Sequence, residues 1–435
     1  MMCLLLGNVS ACSKDKKGNE AASNTEVVDY AGQVKLDMSS GTAKEEVTVK
    51  LFVDGDTTHF YVPDSVMENG VLKARYLAVN TPESTGKIEE YGKKASEFTK
   101  EKLSGATSII IESETATWTP DSTGSRYLAW VWYKTDDMKD YRNLNIEILQ
   151  NGLAIASNSA NNQYGDYCMK ALNQAKAQKL NVHSGKKDPD YYYGDAIELT
   201  IKELRTNIEE YNGKKVAFNG VVTVNSNNSV YVESYDAETN MYYGMAVYYG
   251  YNLNGQGLEI LNVGNEVRIV GSVQYYEAGG TYQVSDLNYR LMKPDDPGNI
   301  QKISEGNTPA FPLVGAEQFV NGKVTIHKEG TEETENTYDF AALAMNSSLE
   351  MKNLQVVDVY TTTNEESASK GAMTLTCNAN GVTVSVRTEV LYDDNGKVVT
   401  ADAYRGRNIN VKGIVDSYSG KYQIRVFSTK DITIN

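Results

Sequence analysis

The sequence predicts a mainly β chain with some α-helix, in which small closed barrels recur. Three observations carry this. The composition is rich in Gly (35) and poor in Pro (8), which fits a β-rich globular chain better than a disordered one. Runs of alternating apolar and polar residues, such as VTVKLFV at 47–53, recur along the chain. Finally, two stretches repeat one pattern: NEVRIVGSVQYYEAGGTYQV at 265–284 and RNINVKGIVDSYSGKYQI at 407–424. In the repeat, Val267, Ile269, Gly271, Val273, Tyr276, Tyr282 and Gln283 match Ile409, Val411, Gly413, Val415, Tyr418, Tyr422 and Gln423. The pattern reads strand, Gly, strand, tight turn, strand. A Gly inside a strand suits a strongly bent barrel strand.

The length, 435 residues, suggests about three domains at roughly 150 residues each. The chain carries 57 Asp and Glu against 42 Lys and Arg, a net charge of -15. The acidity is uneven: residues 190–435 hold 32 acidic and 20 basic residues, a net of -12. This excludes a protein that coats nucleic acid by bulk charge. Four Cys are too few for a disulfide scaffold, and three scattered His (His59, His183, His327) argue against a polyhistidine zinc site.

Residues 1–12, MMCLLLGNVSAC, read as a truncated signal with a lipobox. Small residues precede Cys12, which would be lipidated and become the first mature residue. The chain is then expected on the extracellular face of a membrane, or secreted. It would be held by a lipid anchor without a transmembrane helix, since no stretch reaches the ~18 apolar residues of a span. Residues 13–45 are polar and read as a flexible tether. Cys168 and Cys377 lie far apart and read as core residues.

The first segment, 46–186, mixes strands and helices. Val47–Val53 and Thr57–Val62 flank Asp54-Gly55-Asp56 as a hairpin. Leu72–Val79 is another strand. Tyr91–Leu103 has helical spacing, with Ala95, Phe98 and Leu103 near one face. Ser108–Glu112 and Tyr127–Tyr133 are strands, and Leu144–Gln150 is a helix ended by Asn151-Gly152. Tyr164–Leu180 is a second helix. Residues 186–194 mark a boundary, and Tyr191–Tyr193 read as linker packing. The second segment, 195–293, opens with a helix at Ile201–Tyr211 and continues as strands. Residues 294–310 are a second linker, and 311–435 repeat the β pattern. About five strands in about 100 residues suit a small Greek-key barrel of the OB type, with a β-meander or sandwich as the alternative.

Five positions in the first segment invite chemistry: Asp54, Asp56, Arg75, Glu83 and Arg126. Taken singly, Asp-Gly-Asp satisfies turn backbone groups and the arginines pair at the surface. Taken together, the ordered blocks VDGDTTHFYV, RYLAVNTPES, EYGKKASEFTKEKL, SRYLAWVWY, LQNGLAIA and ALNQAKAQKLNVHSG resemble the staphylococcal nuclease family over 46–186. The resemblance implies an OB-type five-stranded β-barrel nuclease domain (α+β), here followed by two OB-like β-barrels at 195–293 and 311–435. It implies calcium-dependent hydrolysis of DNA or RNA phosphodiesters. Asp56, Asn80 and the Thr81 carbonyl would hold calcium, and Asp54 would stand behind them. Glu83 would be the general base, and Arg75 and Arg126 would grip the phosphate. Those residue types suit the chemistry. Calcium takes hard oxygen ligands. Guanidinium forks and a metal offset phosphate charge, and a carboxylate takes a proton from water.

The chain departs from the family pattern at Asn80, where an Asp is usual, at Thr123-Gly124, where a Lys-Tyr pair is usual, and at Asn158, where a nucleotide-stacking Tyr is usual. The alternative to an enzyme is a non-catalytic nucleic-acid- or surface-binding lipoprotein. Tyr275, Tyr276, Tyr282, Tyr418 and Tyr422 could stack bases, or simply fill half-exposed strand positions. The protein is expected to be a monomer.

Overall fold

The computed structural model describes residues 27–251, 253, 255–277, 279–327, 335–365, 367 and 369–435. Cys12 and residues 13–26 of the expected tether lie outside the described residues. The remaining tether residues are not a tether. A short helix, α1 (Tyr30–Gln33), packs on the first domain, with Ala31 and Val34 buried in its core. Asp29 caps α1 and pairs with Arg142, and the Val28 amide donates to Gln174 Oε1 at 2.9 Å. Polarity misled here, because few apolar residues suffice when each is fully buried.

Three closed five-stranded barrels follow one another. The first uses β1 (Lys44–Asp54), β2 (Thr57–Tyr61), β3 (Val71–Tyr76), β4 (Ser108–Glu112) and β5 (Tyr127–Lys134). Its antiparallel ladder runs β3-β2-β1-β4-β5, and a parallel β3–β5 pairing closes it. The helix α2 (Gly92–Ser104) bridges β3 and β4. α3 (Leu144–Gln150) and α4 (Gly165–Ala177) pack alongside, burying Leu144, Ile146, Leu149, Ala171 and Leu172. Asn143 caps α3 by accepting from the Ile146 amide, and Gly152 takes the left-handed conformation after it.

The second barrel uses β6 (Lys215–Ser226), β7 (Ser229–Asp236), β8 (Met241–Tyr248), β9 (Glu266–Tyr276) and β10 (Thr281–Ser285). The third uses β11 (Ser348–Thr361), β12 (Met373–Ala379), β13 (Val382–Thr388), β14 (Asn408–Tyr418) and β15 (Lys421–Val426). Both repeat the connectivity of the first, including one parallel pairing, β8–β10 and β13–β15. The repeated glycines have one physical cause. A Cβ on Gly271 would lie 2.5 Å from the Ser285 carbonyl oxygen, and one on Gly413 would lie 2.5 Å from the Arg425 carbonyl oxygen. Each Gly lets the fourth strand coil against the fifth.

Several expected elements shift. The helix expected over Tyr164–Leu180 spans Gly165–Ala177. The one over Ile201–Tyr211 is α5 (Ile201–Thr206), followed by a 3-10 turn. Residues 301–304, expected in a linker, pair with Glu266–Arg268 as an added strand, and Ile300 is fully buried. The strand expected over Leu72–Val79 breaks near Leu77, and Ala78 sits at φ 67. Ala78–Asn80 then pair with Ile155–Ser157 instead. Tyr76-Leu77-Ala78-Val79 is apolar throughout, so periodicity does not mark the break.

The second and third barrels share one continuous core, in which Phe319, Phe340 and Leu343 bury beside residues of both. Between them, the buried Glu233 carboxylate accepts from the Ser348 amide, the Ser348 hydroxyl and the Ala310 amide. Cys168 and Cys377 are buried free thiols, each pushed up to about 12 by burial, as core residues should be. Tyr191 and Tyr193 meet edge-on, the Tyr193 hydroxyl accepts from the Asp188 amide, and the Asp188 carboxylate accepts from the Tyr91 amide at 2.6 Å, which ties this stretch to the first domain. Among the described residues, no helix is long and apolar enough to cross a membrane.

Candidate active site at the mouth of the first barrel

The β1–β2 turn builds the acidic side of the site. Asp54 ends β1, and its Oδ1 accepts from the Asp56 amide at 3.1 Å. Gly55 is required here, because a Cβ would lie 2.9 Å from Ala95 and Thr81. Asp56 accepts from the Thr57 hydroxyl and, at 2.8 Å, from the Thr81 amide. Both aspartates are nearly closed to solvent.

Strand register brings in the arginines. Arg75 on β3 stands opposite Thr57 and pairs with the Asp56 carboxylate. Its Nη2 donates to Asn80 Oδ1 at 2.7 Å. Arg126 immediately precedes β5, whose Tyr127 pairs with Ala74, next to Arg75. Its Nε bonds Asp121 Oδ2 at 2.7 Å.

Glu83 follows on the loop after Thr81. Burial and the Asp54 charge raise its carboxyl above the usual carboxylate range, while Arg75 and Arg126 oppose that rise. Asp54 is also raised by burial, against Arg75, Thr57 and Arg126. Burial lowers Arg75, against the pull of Asp54. Asp54, Arg75, Glu83 and Arg126 therefore lie in one electrostatic field. Asp56, Asn80 and Thr81 are joined to it by direct bonds. The structure thus brings all seven expected site residues of the first barrel together.

Four supporting residues were not legible in the sequence. Asp121 holds Arg126, and its turn also ties Thr123, one of the departures from the family pattern. Glu89 Oε2 accepts from the Glu83 amide at 3.2 Å, and the Glu89 amide donates back to the Glu83 carbonyl at 2.9 Å. Gly92 lets α2 start against this loop: a Cβ would lie 2.1 Å from the Glu83 carbonyl oxygen. The fourth, Gln274, comes from the second barrel. Its Nε2 donates to the Ser84 carbonyl at 2.7 Å, and its Oε1 accepts from the Gly86 amide at 3.3 Å and the Ser285 hydroxyl at 2.9 Å. Only the EYGKK block containing Gly92 carried any signal, and it was a helix signal. Asn158 lies on an exposed loop at φ 52.

The oxygen donors available to a cation are the Asp54 and Asp56 carboxylates, the Asn80 amide and the Thr81 backbone. All are hard ligands, and the set fits a calcium-type ion. Among the described residues, no three His, Cys, Asp or Glu side chains converge as a metal cluster. Arg75 occupies part of the donor set through Asp56 and Asn80.

Residues 73–184 match the family model of the staphylococcal nuclease homologues. The match supports a staphylococcal nuclease-like domain in the first barrel. The matched span contains Arg75, Asn80, Thr81, Glu83 and Arg126, and it begins after Asp54 and Asp56. Such a domain supports a nuclease-type or nucleic-acid-binding function.

Proposed function

We propose that the protein is a calcium-dependent nuclease that hydrolyses phosphodiesters of DNA, RNA or both. The observation that carries this reading is the convergence at the barrel mouth: Arg75 is bonded to both Asp56 and Asn80, Asp56 is bonded to the Thr81 amide two residues before Glu83, and strand register sets Arg126 close to Arg75. Asp56, Asn80 and the Thr81 backbone would hold calcium, with Asp54 supporting Asp56. Bound calcium supplies positive charge against the scissile phosphate. Glu83 takes the proton from the water whose oxygen bonds to phosphorus, while the P–O bond to the leaving sugar oxygen breaks and that oxygen takes up a proton from solvent. Arg126 exchanges Asp121 for a phosphate oxygen as negative charge builds there. Arg75 faces the same oxygens once its bond to Asn80 gives way. Glu89 and Gln274 hold the Glu83 loop so that the carboxylate need not be ordered during the reaction.

The deciding assay is release of acid-soluble nucleotide from DNA and RNA, with calcium and then with chelator. Calcium-dependent cleavage that is lost in Glu83→Gln and in Arg126→Ala is the expected result. Cleavage undiminished by both substitutions, or none with calcium, would sink the reading.

A second reading, binding without cleavage, is favoured by one observation: Arg75 is tied to both Asp56 and Asn80. On that reading Asn80→Asp would convert an inert protein into a nuclease. We further propose that Cys12 carries a lipid anchor at the outer face of a membrane. Cys12→Ser should then move the protein from the membrane fraction to the medium.

A further inference from the structure

We propose that the second and third barrels together form a groove for single-stranded nucleic acid that leads to the Glu83 loop. The proposal rests on the nuclease reading for its purpose, and on separate residues for its chemistry.

Two clefts make up the groove. The first, about 500 Å³, lies where all three barrels meet. One wall is Leu51, Phe52 and Val53, the stretch of β1 that ends in Asp54, with Thr85 and Gly86 from the Glu83 loop. The opposite wall is Tyr248, Tyr275 and Tyr276 of the second barrel, with Arg425 and Phe427 of the third. The second cleft, about 730 Å³, lies on the third barrel and includes Tyr360, Arg387, Tyr418, Lys421 and Tyr422. Arg425 lines both clefts, so they adjoin.

The junction is fixed rather than loose. Arg425 Nη1 donates to the Tyr231 hydroxyl at 3.1 Å, and its guanidinium lies 5.3 Å from the Phe427 ring centre. Arg425 also pairs with Glu389. On the other side, Gln274 binds both Ser84 and Gly86 of the catalytic loop, and Lys100 pairs with Glu277 at 2.6 Å. The first cleft therefore keeps its place beside the candidate active site.

The lining selects the occupant. Tyr276, Tyr360 and Tyr418 are exposed, at 47%, 62% and 72%. Exposed tyrosines beside guanidinium groups form a stacking platform for unpaired bases. Charge excludes a duplex-tracking surface. Arg387, Lys421 and Arg425 are balanced by Glu277, Glu389 and Asp416 among the lining residues. A duplex presents phosphates and hides its base faces, so this lining would gain little from it. A single strand offers base faces to the tyrosines and needs few phosphate contacts. Its continuity with the Glu83 loop makes that strand the substrate.

The test uses the full chain carrying Glu83→Gln, so that binding is read without cleavage. The probe is a fluorescent oligothymidylate of about 30 nucleotides, followed by anisotropy. Tyr276→Ala with Tyr418→Ala should weaken binding by about tenfold or more, since each stacked base contributes strongly. Both side chains are exposed, and an unchanged melting temperature shows that the fold is kept. Phe427→Ala serves as an independent probe at the junction and should also weaken binding. The slope of log affinity against log salt should be shallow, corresponding to about two phosphate contacts at ~0.7 each. In the active chain, the same tyrosine pair should raise KM for the oligonucleotide. Unchanged affinity in the double variant, equal loss for a duplex, or a slope near that of six contacts or more would overturn the groove. Absence of cleavage in the wild type, with tyrosine-dependent binding retained, would overturn the nuclease reading alone.

Discussion

Replacing Gln274 with Ala tests whether the second barrel sets the catalytic loop. Gln274 is nearly fully buried and reaches across to the first barrel. The substitution removes one bond of 2.7 Å to the Ser84 carbonyl and a longer one of 3.3 Å from the Gly86 amide. It also leaves the buried Ser285 hydroxyl without its acceptor at 2.9 Å. At a net of about 0.5–1.5 kcal/mol per bond, the two loop bonds hold the loop by roughly 1–3 kcal/mol. If half or more of that is needed to order Glu83, kcat should fall about three- to tenfold or more. KM for a short diester should change little, because Gln274 lies behind the loop rather than against the phosphate. Hydrogen exchange at the Gly86 amide should speed up by a comparable factor, and this readout does not depend on activity. Unchanged exchange at Gly86 together with unchanged kcat would refute the reasoning.

Two other outcomes follow from packing and titration. In Gly92→Ala, a new methyl group would meet the Glu83 carbonyl oxygen at 2.1 Å, so the loop or the start of α2 must move. Melting of the first barrel should drop by the equivalent of about 1–3 kcal/mol, with activity reduced further than stability alone explains. An unaltered melting temperature would refute that close approach. Glu233 tests the joint of the second and third barrels. Burial raises its pKa, and its bonds to Ser348 and Ala310 only partly oppose this. A carboxyl raised on folding is favoured in its protonated form. Its contribution to stability is therefore greatest at low pH and declines as pH rises from its ordinary value of 4.5 through the raised folded value. Urea melts over this window should show that decline in wild type and not in Glu233→Gln; a decline of equal size in both would assign it elsewhere.

Much of the fold was legible because its signals are local. Strand alternation located β1, β2, β4 and β5 in the first barrel within a few residues. The repeat containing Gly271 and Gly413 located the fourth and fifth strands of the other two, because close backbone approach admits only Gly. Capping residues and helix spacing located α2 and α3. The residues of the candidate site were also legible, through the joint pattern from Asp54 to Arg126. What failed was whatever depended on a distant partner. The left-handed Ala78, which turns the chain toward Thr81, has no Gly to mark it. Residues 27–43 read as a tether because their polarity is visible and their burial against α3 and α4 is not.

The amino-acid sequence by itself determined the barrels, their order and the chemical types gathered near the first barrel's mouth. Periodicity, turn residues and glycines are properties of neighbours along the chain. Only the tertiary structure decided that Arg75 lies against Asp56 and Asn80, that Asp121 holds Arg126, and that Gln274 reaches the Glu83 loop. It alone placed Arg425 in both clefts of the proposed groove. Some of these pairings join residues far apart in sequence, and others, such as Arg75 with Asn80 and Asp121 with Arg126, cross turns only five residues long. Their energies depend on burial and on distances of a few ångströms, and neither is encoded in local spacing.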